Sequence, residues 1–149
     1  MKIGSWSEII EEIALPLLIS MPQTKIYGHG NFLRHNRSRL SEIIHACIVE
    51  AFAYPIEKRF QRFFPMEPED FIYPADRTPQ YIVIEISFFA GRSVETKKTL
   101  IRLLYERLGQ ELEMAVNDIE IILYEIPKEH WGVRGMPGDE LHLGYQVNV

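Results

Sequence analysis

The spacing of apolar residues predicts two amphipathic helices. In the first, which we place at about residues 37–52 with Asn36 or Ser38 as its N-cap, apolar side chains recur every three or four positions. In the second, Ser93 is the predicted N-cap, and Glu95 places a negative charge in the first turn, where it suits the helix dipole. The two apolar stripes consist of Leu40, Ile43, Ile44, Cys47, Ile48 and Ala51, and of Leu100, Ile101, Leu104, Leu108 and Leu112.

Runs of β-branched and aromatic residues predict strands. The most strand-like run is YIVIEISFFA, residues 81–90, and DIEIILYEIP, residues 118–127, is similar. Two shorter runs are QTKIYG at residues 23–28, followed by the Gly-rich GHGN, and RFQRFFP at residues 59–65. The terminal YQVNV, residues 145–149, predicts one further strand.

Prolines and glycines predict that the segments between these elements are irregular. MEPEDFIYPADRTPQ, residues 66–80, combines prolines with acidic residues, and KEHWGVRGMPGDEL, residues 128–141, is broken by glycines and a proline. Residues 3–15 predict a short amphipathic helix that ends at Pro16.

The predicted order is strand, helix, strand, then linker, then strand, helix, strand. This order indicates an internal duplication of one βαβ unit, with the two strands of each unit parallel. We therefore predict an α+β fold in which a four-stranded mixed sheet carries both helices on one face. The other face has no helix from its own chain, and its strands are too apolar to face water, so we expect self-association.

Composition excludes several classes of protein. The net charge is −5 and no run of Lys or Arg is present, which argues against nucleic-acid binding. No apolar run approaches the roughly 20 residues of a membrane span. The single cysteine, Cys47, excludes an internal disulfide and is typical of a buried thiol in a reducing compartment, so we predict a cytoplasmic protein. The histidines show no metal-ligand spacing and no glycine loop could cradle a phosphate, so we expect no metal and no cofactor.

Met21 and Pro22 immediately precede the first predicted strand. At a true N-terminus, removal of the methionine leaves proline with a free secondary amine, whereas inside the chain the same nitrogen is a non-basic amide. We interpret residues 1–20 as a leader of uncertain status, either a mis-called start or a removable segment, and residues 21–149 as one domain. If the leader is retained, the amine chemistry is absent.

The duplicated βαβ plan with Met-Pro before its first strand resembles the tautomerase superfamily. YIVIEISFFAGRSVETKKTLIRLL, residues 81–104, is similar to the strand, Gly-Arg-Ser turn and helix of 4-oxalocrotonate tautomerase. YPIEKRFQ, residues 54–61, and EIPKEHWG, residues 125–132, resemble long members such as malonate semialdehyde decarboxylase. The resemblance implies a homotrimer that works without a cofactor and uses an amino-terminal proline as general base or acid.

The resemblance also implies a set of site residues. Pro22 would be the base, because a dry pocket near arginines lowers the pKa of an amine toward neutrality. Arg92, in the Gly-Arg-Ser turn, would grip a substrate carboxylate, or else is a solvated surface arginine.

Four further residues are candidates for substrate binding. Lys58 stands where the decarboxylase branch has a catalytic acid, which puts that branch's mechanism in doubt, and together with Arg62 it suits a carboxylate. Trp131 would wall the pocket or else anchor the trimer interface, and Arg134 lies in the same loop.

The predicted function is that of a cofactor-free tautomerase acting on a 2-oxo or enol carboxylic acid. The alternative, from a different class, is a non-catalytic trimeric binding protein on the same scaffold, with Pro22 masked by residues 1–20.

Overall fold

The computed structural model describes residues 22–141, which contain the predicted duplication. The first repeat consists of β1 (Gln23–His29), α1 (Gly30–Phe52) and β2 (Gln61–Met66), and the second of β3 (Ile82–Phe89), α2 (Val94–Leu112) and β4 (Ile119–Ile126). The predicted helix at residues 3–15 and strand at residues 145–149 lie outside the described residues. In the part of the chain that is described, no helix combines the length and the apolar character needed to cross a membrane.

The four strands form one mixed sheet in the order β2-β1-β3-β4. The two strands of each repeat are parallel, and the repeats join through the antiparallel pairing of β1 with β3. The predicted α+β fold with a duplicated βαβ unit is therefore confirmed.

Both helices cover the same face of this sheet. Ile84 and Ile86 alternate along β3 and have no exposed surface. They belong to one apolar cluster with buried side chains of both helices, such as Leu40 of α1 and Leu104 of α2. The chain from Pro22 onward thus contains a continuous hydrophobic core.

One face of the sheet is covered by no helix of residues 22–141, and we call it the helix-free face. It is less apolar than the strand sequences predicted. Strand alternation and register place on it Lys25, Tyr27, Arg62, Phe64, Val83, Glu85, Ile122 and Tyr124. Tyr27 stacks on Phe64 with ring centroids 4.7 Å apart. Burial and a hydrogen bond to Glu85 raise the pKa of Tyr27, and a hydrogen bond to the same carboxylate raises the pKa of Tyr124. The isoleucines of β3 point toward the helices, so the side chains of the helix-free face are a mixture of polar and apolar residues.

The main departure from prediction is the start of α1, which begins at Gly30 rather than near residue 37. Its N-cap, His29, makes no side-chain capping hydrogen bond, so the sequence offers no capping signal there. The predicted cap Asn36 instead lies inside the helix and donates to the Phe32 carbonyl at 3.0 Å. The predicted cap of α2 is confirmed, since the Ser93 hydroxyl accepts from the Thr96 N–H at 3.1 Å.

Two segments predicted to be irregular contain local structure. Pro68–Asp70 forms a 3₁₀ turn, and beyond it the Phe71 ring stacks on Tyr81 at 5.3 Å. Gly132–Val133 and Met136–Pro137 form a small hairpin, β5 and β6.

Candidate active site

The sheet topology brings four predicted segments to one end. Because β1 runs antiparallel to β3 and each repeat is internally parallel, β1 and β2 begin where β3 and β4 end. Gln23 pairs with Ser87, Thr24 with Gln61, and Phe89 with Ile126. We call this the proline end, because Pro22 directly precedes β1.

Pro22 is buried at the proline end. It lines a cavity of about 10 Å³ together with Thr24, His45, Ile48, Tyr54, Lys58, Phe60 and Gln61. Strand alternation puts Pro22 and Thr24 on the helix-covered face. There they lie beside the segment that follows α1, residues 54–61. Within the printed chain the nitrogen of Pro22 is a tertiary amide, which carries no hydrogen and is not basic.

Two hydroxyl groups that line this cavity are buried without a hydrogen-bond partner among the described residues. Thr24 is 1% exposed and Tyr54 is 4% exposed, and neither Thr24 Oγ1 nor Tyr54 Oη is paired. Burial raises the pKa of the Tyr54 phenol to about 12, although the nearby charge of Arg92 acts in the opposite direction. The phenol therefore stays protonated and is a hydrogen-bond donor at neutral pH.

Arg92 follows β3 at the same end. Gly91, with φ of 132°, turns the chain, and the Arg92 guanidinium carbon lies 4.0 Å from the ring centroid of Phe52. Burial lowers the pKa of Arg92, and its interaction with Tyr54 opposes that effect. Pro22 and Arg92 are thus both neighbours of Tyr54.

Lys58 and Arg62 have different environments. Lys58 precedes β2 and lines the Pro22 cavity. Arg62 is exposed, and its register with Lys25 places it on the helix-free face, away from that cavity. Arg59, which precedes the strand, donates to the Ser41 hydroxyl at 3.2 Å.

Trp131 and Arg134 lie in the segment after β4. Trp131 packs edge-on against Phe89 with ring centroids 5.1 Å apart, so it belongs to the proline end but not to the lining of the Pro22 cavity. Arg134 is exposed at the turn between β5 and β6, with φ of 54°.

Sequence reasoning missed Thr24, His45 and Tyr54. Thr24 is two residues from Pro22 on a strand, so period-two alternation could have placed it on the same face. His45 Nε2 lies 2.7 Å from the Ile56 carbonyl, which fixes the turn that follows α1. Tyr54 follows Ala53, which ends α1 in the left-handed conformation, and no sequence signal marks its burial.

A larger cavity, of about 780 Å³, lies at the opposite end of the sheet. Its lining includes His29, whose ring nitrogen is 2.5 Å from the Tyr73 hydroxyl, and Arg34. Neither Pro22 nor Arg92 borders it. Within residues 22–141, no group of three or more His, Cys, Asp or Glu side chains is placed to hold a metal ion.

Comparison with known proteins identifies the family. The model of the tautomerase enzyme family matches residues 58–134, about half of the chain, and the chain therefore belongs to this family. A probable tautomerase, YusQ of Bacillus subtilis (strain 168), is 30% identical over 109 residues, covering 66% of this chain and 86% of the relative. A 2-hydroxymuconate tautomerase of Pseudomonas putida is 33% identical over 60 residues, covering 40% of this chain and 95% of the relative.

Solved structures agree with this assignment. A malonate semialdehyde decarboxylase, FG41, is 25% identical with a TM-score of 0.67, covering 78% of this chain and 92% of that one. A fused 4-OT, solved as an asymmetric trimer, has a TM-score of 0.71 at 20% identity, covering 80% of this chain and 98% of that one, and it supports the fold alone.

Proposed function

We propose that the protein is a cofactor-free tautomerase that converts an enol carboxylic acid into its 2-oxo form, with Pro22 as mature N-terminus and general base. The observation that carries the proposal is the meeting of Pro22 and Arg92 around Tyr54 at one end of the sheet, in a chain of the tautomerase family. Several of the similar proteins are tautomerases, which supports the same reaction class.

The reaction needs one base that both takes and returns a proton. The neutral Pro22 amine would take the proton of the enol hydroxyl as the C–O bond becomes a carbonyl, and the resulting ammonium would return a proton to carbon. No electron acceptor is needed, because the bonding electrons of the C=C bond form the new C–H bond. Arg92 would hold the substrate carboxylate through paired hydrogen bonds.

The electrostatic setting supports Pro22 as a base near neutral pH. An α-amine in water has a pKa of roughly 8. Burial and the positive charges of Lys58 and Arg92 disfavour the ammonium form, which lowers that value. Lys58 stands where the decarboxylase branch has a catalytic acid. A lysine at this position favours binding of a carboxylate over catalysis by an acidic side chain.

A non-catalytic binding protein on the same scaffold is the second candidate. It is favoured by one observation: in the chain as printed, residues 1–21 precede Pro22 and make its nitrogen an amide.

The test compares the full chain with a chain that starts at Met21 and is trimmed to Pro22, both checked by intact mass. We expect both to fold, and only the shorter chain to accelerate conversion of phenylenolpyruvate or a 2-hydroxydienoate, with an acid limb of its pH–rate profile below roughly 8. Equal activity of the uncleaved full chain would show that Pro22 is not the base. No activity in either chain would favour the binding protein.

A further inference from the structure

The unpaired hydroxyls of Thr24 and Tyr54 are the starting point of the inference. Buried polar groups in native proteins nearly always have a hydrogen-bond partner, because burial without one costs free energy. Here two such groups, each more than nine-tenths buried, line one cavity. Both hydroxyls lack a partner among the described residues while Pro22 is an amide.

Releasing Pro22 from Met21 changes what its nitrogen can do. The amide nitrogen has neither a hydrogen nor a basic lone pair, whereas a neutral secondary amine has one of each. A free Pro22 therefore offers one acceptor and one donor beside two hydroxyls.

The neighbours of Tyr54 decide which hydroxyl donates. The positive charge of Arg92 acts on the Tyr54 oxygen, so the hydroxyl hydrogen is favoured on the side away from the guanidinium. Thr24 is a residue of β1, two positions from Pro22, and its hydroxyl can accept from the remaining N–H.

We propose that Tyr54 and Thr24 are positioning residues for the free Pro22 amine in the substrate-free protein, Tyr54 Oη donating to its lone pair until the enol hydroxyl takes that place, and Thr24 Oγ1 accepting from its N–H. This inference rests on the proposed function, because it requires Pro22 to be the mature N-terminus. Beyond that function, the two hydroxyls would orient the Pro22 amine and favour its neutral form.

A hydrogen bond donated to the neutral amine lowers the amine pKa, because it favours the unprotonated form. Two cations act in the same direction, because Lys58 before β2 lines the Pro22 cavity and Arg92 after β3 lies near Tyr54. The ring of His45 of α1, which also lines the cavity, is held by the Ile56 carbonyl. Tyr54→Phe should therefore raise the amine pKa by about half a unit to one unit.

The test uses Tyr54→Phe in both the full chain and the chain from Pro22, with two readouts. In the full chain, where this buried hydroxyl has no partner among residues 22–141, its removal should leave Tm unchanged or raise it. In the chain from Pro22, the same substitution should lower Tm by about 2–5 °C, because there it removes a hydrogen bond. The second readout is a pH titration of the Pro22 amine by NMR on protein labelled with ¹⁵N-proline, where the pKa should rise.

Tyr105→Phe is the matched control. The Tyr105 hydroxyl donates to the Ile119 carbonyl at 2.9 Å, remote from Pro22 in the fold, so its loss should lower Tm equally in both chains and leave the titration unshifted. Thr24→Val should behave as Tyr54→Phe does in the Tm comparison.

An equal Tm change for Tyr54→Phe in the two chains, or an unshifted amine pKa, would overturn the inference. Both readouts are independent of turnover. If the parent chain from Pro22 is inactive, the proposed function fails, while the Tm comparison and the titration still decide whether these hydroxyls bind the amine.

Discussion

The sharpest prediction about the site concerns Arg92. We expect Arg92→Met to keep the fold and to lower kcat/KM for an enol carboxylate in the chain from Pro22. The guanidinium carbon of Arg92 lies 4.0 Å from the ring centroid of Phe52. Methionine retains most of the side-chain length that packs there, but it removes the charge. The substitution therefore separates carboxylate binding from packing.

The magnitude follows from the environment of the guanidinium. Two unit charges about 4 Å apart attract by about 4 kcal/mol at an effective dielectric constant near 20. Part of this is offset by desolvation, and losing one partner of such a pair typically costs about 2–5 kcal/mol. At 1.36 kcal/mol per factor of ten, a loss of about 2–4 kcal/mol lowers kcat/KM roughly thirtyfold to a thousandfold.

Stability should change little. The cation–π contact with Phe52 contributes about 0.5–2 kcal/mol, and its loss is offset because a partly buried charge is removed along with it. Arg102→Met, at an exposed position of α2, is the matched control and should alter neither activity nor Tm. Parental kcat/KM in the Arg92→Met protein would refute the carboxylate role, and a large fall in Tm would show that Arg92 acts through packing.

Two other predictions concern assembly and the thiol. We expect a homotrimer formed through the helix-free face. Ile122 lies on that face with its side chain 40% exposed, so Ile122→Arg should reduce the mass measured by light scattering. Ile72→Arg, at a loop side chain 90% exposed, should leave that mass unchanged. A stable monomer of the parent protein at micromolar concentration would contradict this. Burial raises the pKa of Cys47 to about 11, so at pH 8 an alkylating reagent should modify it only after unfolding. Because the unfolded thiol ionises first, its contribution to the free energy of unfolding is complete below a pH of roughly 8.5 and should be lost as pH rises toward about 11. Rapid labelling of the native protein would show that the thiol is accessible.

The regular elements were predictable because their signals are local. The alternation in residues 81–90 and the Ser93 cap each depend on a few neighbouring side chains, and the structure confirms both. The start of α1 was not predictable, because its N-cap makes no side-chain hydrogen bond and its first buried leucine, Leu33, is followed by six polar residues, 34–39.

The candidate site was predictable only in part. Pro22 and Arg92 came from the resemblance, and the antiparallel pairing of β1 with β3 explains why they lie at the same end of the sheet. Arg62 was proposed from charge alone, and the strand register places it on the helix-free face. Tyr54 could not be found from sequence, because its importance lies in a buried hydroxyl that has no hydrogen-bond partner within residues 22–141, and this depends on the tertiary structure.

The duplication has a consequence for the number of reactive centres. Tyr81 precedes β3 as Pro22 precedes β1, so the two ends of the sheet are related by the internal repeat. However, Tyr81 is joined to Gln80 by a peptide bond in every form of the chain, so no processing of the N-terminus can convert its nitrogen into an amine. The duplicated architecture can therefore provide at most one amino-terminal base per polypeptide, which is Pro22 in the proposed function. Complete inactivation by a proline-directed covalent reagent should accordingly require one equivalent per chain, not two.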